Sequence, residues 1–137
     1  MSMSTHILVT NSKGGCGKTT VATILAVSLQ VQRKEVVLWD YDIQGSSILW
    51  SRNRMTASEE NSQIKPLKAV ACNSNKPGKE TLSFQRYKYE SAPFIIIDAT
   101  AGKIPDIELE RLIRISDMFI VPAMSSSFDF KATERFL

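Results

Sequence analysis

The chain has 137 residues, 43% hydrophobic and 23% charged, with a net charge of +3. That length suits one domain, read as a single unit over 1–137, and the composition excludes a disordered or fibrous chain. No apolar run reaches the roughly 20 residues of a bilayer span, and the start "MSMSTHILVTNSKGG" lacks a basic region followed by a long apolar one, so a cytoplasmic protein without a membrane partner is expected.

The first apolar run, "HILVT" (6–10), reads as a strand, with His6 ahead of it on the surface. It leads into "KGGCGKTT" (13–20), where glycines and lysines crowd together. In a buried strand-to-helix turn both residue types are costly unless something anionic sits there. Glycines let backbone N–H groups close on phosphate oxygens, and the following helix adds its partial positive charge. Lys13, Gly14, Gly15, Cys16, Gly17, Lys18, Thr19 and Thr20 are therefore the candidate phosphate loop. Lys18 can reach the β- and γ-phosphates, and the Thr19 hydroxyl can ligate Mg²⁺. Ser12 stands where the common pattern G-x-x-x-x-G-K-[ST] has its first glycine, and Lys13 follows it. A second lysine is redundant for one nucleotide in its own site. It makes sense if it reaches outward to a phosphate in a second subunit. Cys16 and Cys72 form no CxxC pair and are expected to be reduced thiols.

Residues 18–32 have helical spacing, with Val21, Ile24, Leu25, Ser28 and Leu29 on one face. The second strand, "EVVLWD" (35–40), runs into "DYDIQGSS". Asp40 and Asp42 share a side if the strand continues. One carboxylate can serve a metal shell while the other orients a water; alternatively the pair caps the next helix. Trp39 and Trp50 read as packing groups.

A third strand is expected in "PLKAVA" (66–71). It lies within a basic stretch, 61–92, where six Lys/Arg face two acids and Phe84, Tyr87 and Tyr89 are interleaved. That stretch reads as a solvated face of surface helix and loops, with nucleic acid contact as the alternative. The fourth strand, "FIIID" (94–98), ends in Asp98, the Walker-B pattern of a Mg²⁺-holding acid. Gly102 in "DATAGK" would allow backbone to approach the γ-phosphate, making that segment a candidate switch. Pro105 and early acids start a helix over 105–116, with Ile107, Leu109, Leu112 and Ile113 inward. "MFIVPA" (118–123) is the fifth strand. The second, fourth and fifth runs are continuous enough to be buried on both sheet faces. Alternating strands and helices give an α/β fold of three layers, a mainly parallel sheet of about five strands with its ligands at the carboxyl ends.

Taken together these motifs resemble the ParA/MinD group of deviant Walker A ATPases, whose signature KGGxGKT[TS] stands intact at 13–20. "VVLWDYDIQGSSILW" is similar to the partition-ATPase stretch D-x-D-P-Q-x-S, and "MFIVPAMSSSFDF" resembles the family's strand-then-P-x-x-x-S-x-x-D segment. D-x-D-x-Q favours ParA over MinD. The resemblance implies a P-loop NTPase fold and Mg²⁺-dependent ATP hydrolysis in a face-to-face homodimer, acting in plasmid or chromosome partition. It implies Lys13 as the signature lysine reaching the partner's phosphates, Lys18 as the Walker lysine and Thr19 as a Mg²⁺ ligand. Asp42 would orient the attacking water, Asp40 would support the metal shell and Asp98 would be the Walker-B acid. Nonspecific DNA, for the full-length protein, and a centromere-binding protein are the partners implied.

Three departures stand out. Ile43 replaces the usual proline, the residues after Asp98 read Ala-Thr-Ala-Gly, and the sequence stops at Leu137, where family members continue. A chain lacking that remainder is expected to expose a sheet edge. The alternatives are a nucleotide-binding fragment without catalysis and a MinD-like positioning ATPase, which needs a carboxy-terminal amphipathic helix. A nitrogenase-reductase-like carrier is disfavoured, because no cysteine follows Cys72.

Overall fold

The computed structural model describes residues 4–137 apart from 13, 14, 16, 43, 73–91, 101, 103, 126–130, 132 and 136. The aromatic and most of the basic residues of the 61–92 stretch, and Ile43, therefore lie outside the described residues.

Five strands form one parallel sheet: β1 (Thr5–Asn11), β2 (Val36–Asp40), β3 (Lys68–Ala71), β4 (Phe94–Thr100) and β5 (Met118–Ile120). Their order across the sheet is β3-β2-β4-β1-β5. β4, "FIIIDAT", is flanked on both sides, and Ile95, Ile96 and Ile97 are fully buried. Such a continuous β-branched run suits a strand covered on both faces.

Helices α1 (Lys18–Val31), α2 (Ser46–Glu60) and α3 (Asp106–Ile115) cover the sheet. On one face Ile7, Val9, Leu38 and Ile96 pack against Ala22 and Ala26 of α1, with Val21, Leu25, Leu29 and Trp50 around them. On the other face Leu8, Trp39, Ile95 and Ile97 pack with Leu112 of α3, flanked by Leu109 and Ile115. The expected three-layer α/β/α architecture is the observed one.

Four details differ from the sequence reading. In α1 the small residues Ala22 and Ala26 meet the sheet, letting the helix sit close, while Ile24 and Ser28 face solvent. In α3, Ile107 and Ile113 are exposed, whereas Glu108 and Leu112, one turn apart, point inward. β5 is an edge strand, with Met118 and Phe119 about half exposed rather than buried on both faces. His6 also departs from its surface assignment. It lies within β1, donates its backbone N–H to Asp117 Oδ2 at 2.8 Å, and packs edge-on against Trp39.

Candidate functional site

The carboxyl ends of β1, β2 and β4 converge on the start of α1. Gly17, at φ 88°, is the residue before α1, and its carbonyl accepts the Val21 N–H at 2.9 Å. A left-handed turn there favours glycine, because a Cβ would crowd the following carbonyl. Gly15, Gly17, Lys18, Thr19 and Thr20 wall a cavity of about 350 Å³, closed on its other side by Asp42, Ser46 and Thr100. Lys18 is buried at the first position of α1. Lys13, Gly14 and Cys16, the other members of the candidate loop, lie outside the described residues.

Two neighbouring carboxylates anchor this region. Asp40 and Asp98 are register partners at the ends of β2 and β4, and both are buried. Asp98 Oδ2 accepts the Thr19 hydroxyl at 2.7 Å and the Ser47 hydroxyl at 2.7 Å. Asp40 Oδ1 accepts the Asp42 N–H at 2.8 Å, and Oδ2 accepts the Ile48 N–H at 3.0 Å in the first turn of α2. Each oxygen of Asp40 thus holds a backbone amide, and of the two only the Ile48 N–H belongs to the first turn of α2, as a capping role requires. Burial pushes the Asp40 carboxyl above the ordinary aspartate value; the two amides oppose this, and the charges of Asp98 and Asp42 add to it.

Asp42 closes its own turn. Its Oδ1 accepts the Gln44 N–H at 3.0 Å and its carbonyl accepts the Gly45 N–H at 3.0 Å, an Asx-type arrangement that leads into α2. Gly102 lies against the entrance of the phosphate loop, where a Cβ would stand 3.3 Å from the Ser12 carbonyl oxygen. The segment after Asp98 and the segment before the loop are thereby in contact. Beneath them, the Asn11 side-chain amide donates to the Pro122 carbonyl at 2.8 Å and the Thr133 hydroxyl at 3.0 Å.

The structure thus gathers Gly15, Gly17, Lys18, Thr19, Thr20, Asp40, Asp42 and Asp98 at one end of the sheet. It adds Ser46 and Thr100 on the cavity wall and Ser47 on Asp98, which sequence reasoning did not single out. Ser46 and Ser47 stand four and five residues after the second acid of the D-x-D motif, within the quoted stretch "DYDIQGSS"; Thr100 carries no comparable signal. Cys72 is buried beside this end, and burial raises its thiol pKa far above the ordinary range, with the charges of Asp40 and Glu108 adding to the shift.

The donor set fits a magnesium nucleotide. Thr19 and Asp98 are hard oxygen donors in contact, and a lysine and glycine backbone line the adjoining cavity.

A family profile described as ParA, NUBPL iron-transfer P-loop NTPase, matches residues 2–81. An iron-sulfur cluster carrier protein from Haemophilus influenzae is 39% identical over 75 residues, which cover 53% of this chain and 20% of that relative. The chain therefore spans about a fifth of the curated relative it matches. A plasmid partition protein from Borrelia burgdorferi superposes with TM-score 0.69 at 21% identity, covering 97% of this chain and 70% of that one. Cobyrinic acid a,c-diamide synthase from Mycobacterium smegmatis, with bound ADP and magnesium, gives TM-score 0.70 at 18% identity over 98% of this chain and 65% of that one. These likenesses establish the fold as that of P-loop NTPases. The profile extends over more than half of the sequence and takes in the whole phosphate loop, so the chain belongs to the ParA family of P-loop NTPases.

Proposed function

We propose that this chain binds Mg²⁺–ATP at residues 13–20 and hydrolyses it within a face-to-face homodimer, as a ParA-type partition ATPase. One observation carries the reading. The cavity between the phosphate loop and Asp42 brings Lys18, Thr19 and a candidate water-orienting carboxylate to the same space.

Thr19 and Asp98 would hold Mg²⁺, which when bound would supply positive charge against the nucleotide's phosphates. The rest falls to the chain. Backbone N–H groups of the loop and the Lys18 ammonium hold the phosphates. The Thr19 hydroxyl and the Asp98 carboxylate hold the metal side. The Asp42 carboxylate, fixed by its own turn, orients a water towards the γ-phosphate. Asp40 supports this shell indirectly, because its bonds to Asp42 and Ile48 set the path of the loop. Lys13 reaches the partner's nucleotide. DNA and a centromere-binding protein act on the assembled dimer of the full-length protein.

A second reading is favoured by the curated relative, an iron-sulfur cluster carrier. In it the same nucleotide site serves iron delivery. Turnover separates the mechanisms of the ATPase reading. Mg²⁺–ATP hydrolysis is measured at several protein concentrations beside Lys13→Gln and Asp42→Ala. Specific activity that rises with concentration and is lost in both variants supports the homodimer ATPase. Nucleotide binding without turnover at any concentration overturns it. Anaerobic reconstitution with iron and sulfide tests the second reading: a visible charge-transfer absorption that survives desalting supports it, and its loss on desalting overturns it.

A further inference from the structure

Ser47 has no part in the roles assigned above, yet it is the most enclosed hydroxyl near them, with no exposed surface. Its Oγ and the Thr19 Oγ1 meet on a single carboxylate oxygen, Asp98 Oδ2, each at 2.7 Å. A carboxylate oxygen has two lone pairs for such bonds, and hydroxyl donors to an ionised acceptor make short, strong ones. That oxygen therefore ties the first turns of α1 and α2 to the end of β4.

The next residue along α2 is pinned too, because the Ile48 N–H donates to Asp40 Oδ2. The Asp42 turn begins on Asp40 Oδ1 and ends on these two bonds. The short segment between Asp40 and Ile48 is thus clamped at both ends to neighbouring carboxylates on adjacent strands. Asp98 cannot shift without moving Ser47, and Ser47 closes the turn that carries Asp42. The other buried residue of α2, Ser51, is spent on an ordinary backbone carbonyl, that of Leu67 at 2.6 Å. Ser47 instead gives its side chain to Asp98, the acid that also accepts the Thr19 hydroxyl.

We propose that Ser47 is a positioning residue that holds Asp98 for a divalent cation and transmits the cation's arrival to the Asp42 turn. This rests on the nucleotide-binding reading of the site. With the Thr19 oxygen engaged by the cation, the Ser47 hydroxyl keeps Asp98 Oδ2 in place, and the Asp42 turn tightens with it.

The test uses the full chain and a fluorescent N-methylanthraniloyl-ADP, titrated with and without magnesium chloride, for wild type, Ser47→Ala and Ser47→Thr. Without magnesium all three should bind alike, which also shows that the variants are folded. The half-saturating magnesium concentration should rise on the order of tenfold in Ser47→Ala, as expected for loss of a hydrogen bond to a charged group. Ser47→Thr, which keeps the hydroxyl, should stay near wild type. Hydrogen–deuterium exchange should show magnesium-dependent protection of residues 41–47 in wild type and its loss in Ser47→Ala. Unchanged magnesium dependence in Ser47→Ala overturns the proposal, as does an equal weakening with and without magnesium, which marks a purely structural role. A wild-type chain that binds no nucleotide at all overturns the nucleotide-binding reading itself and this inference with it.

Discussion

Asp40 and Asp98 stand side by side at the ends of adjacent strands, yet they are bonded to different kinds of group: Asp40 accepts backbone amides and Asp98 accepts hydroxyls. An amide N–H cannot ligate a cation, whereas a hydroxyl oxygen can. Asp40 is thus tied to the backbone of the loop that follows β2, and Asp98 to side chains at the starts of α1 and α2.

The buried Asp40 has a pH signature. Its carboxyl is raised above the ordinary value of 3.8, chiefly by burial, so the folded state keeps its proton to higher pH than the unfolded chain. Stability from this group is complete below that ordinary value and is lost as pH rises through the folded one. Thermal unfolding without nucleotide or divalent cation should show this as a difference. The melting temperature of wild type minus that of Asp40→Asn should fall as pH rises from about 4 to 7, the range above the ordinary carboxylate value. A difference that grows with pH would contradict the assignment.

Lys18 is buried at the start of α1 and lines the cavity beside the phosphate loop. Lys18→Met should abolish the stabilisation by Mg²⁺–ATP, which for a binding-competent chain reaches about 2.7 kcal/mol at a hundred times Kd. Differential scanning fluorimetry with and without nucleotide checks this: wild type should melt higher with nucleotide and Lys18→Met should not.

Gly17 isolates backbone strain from crowding. A Cβ there meets no heavy atom within 4 Å, yet φ is 88°. Gly17→Ala should therefore destabilise by about 1–2 kcal/mol through the left-handed conformation alone. Urea unfolding gives the value; a neutral result would show that the turn relaxes at no cost.

Leu112 is the fully buried anchor of α3 on its face of the sheet. Leu112→Ala should cost about 2–5 kcal/mol, while Ile113→Ala, one residue on and largely exposed, should cost under about 1 kcal/mol. Paired denaturation curves test the orientation of the helix.

Cys72 should be chemically silent in the folded chain. Burial and the neighbouring Asp40 and Glu108 charges disfavour its thiolate, the reactive form. Iodoacetamide at neutral pH followed by peptide mass spectrometry should find the Cys72 peptide unlabelled until denaturant is added.

Much of this was legible in the residues. Period and punctuation located all five strands and α1, because "FIIID" and "EVVLWD" are continuous apolar runs that only a doubly covered strand accommodates. The candidate phosphate loop, Asp40, Asp42 and Asp98 drew attention because each stands at the end of an apolar run or within a few residues of it. Helix faces were less legible. Helical spacing of apolar residues suggested Ile24, Ile107 and Ile113 as inward groups, but close packing of α1 on the sheet selects alanines, and α3 turns Glu108 inward instead. Ser47 was invisible because a serine near a helix start reads as a cap; its role depends on an acid 51 residues away. The likeness to an iron-sulfur cluster carrier was not weighed either, since the phosphate loop that drew attention is one that partition ATPases share.

β4 lies between β1 and β2 in the sheet, although it is made after both. During synthesis on the ribosome, therefore, β1 and β2 emerge with no neighbour in common. β2 can pair only with β3, and β1 must wait for a partner beginning at Phe94. The acid that anchors both helix starts arrives on that same strand. Assembly of the phosphate cradle is thus a late event in the life of the nascent chain, and its earlier half must be kept from wrong pairings until the centre of the sheet has been translated.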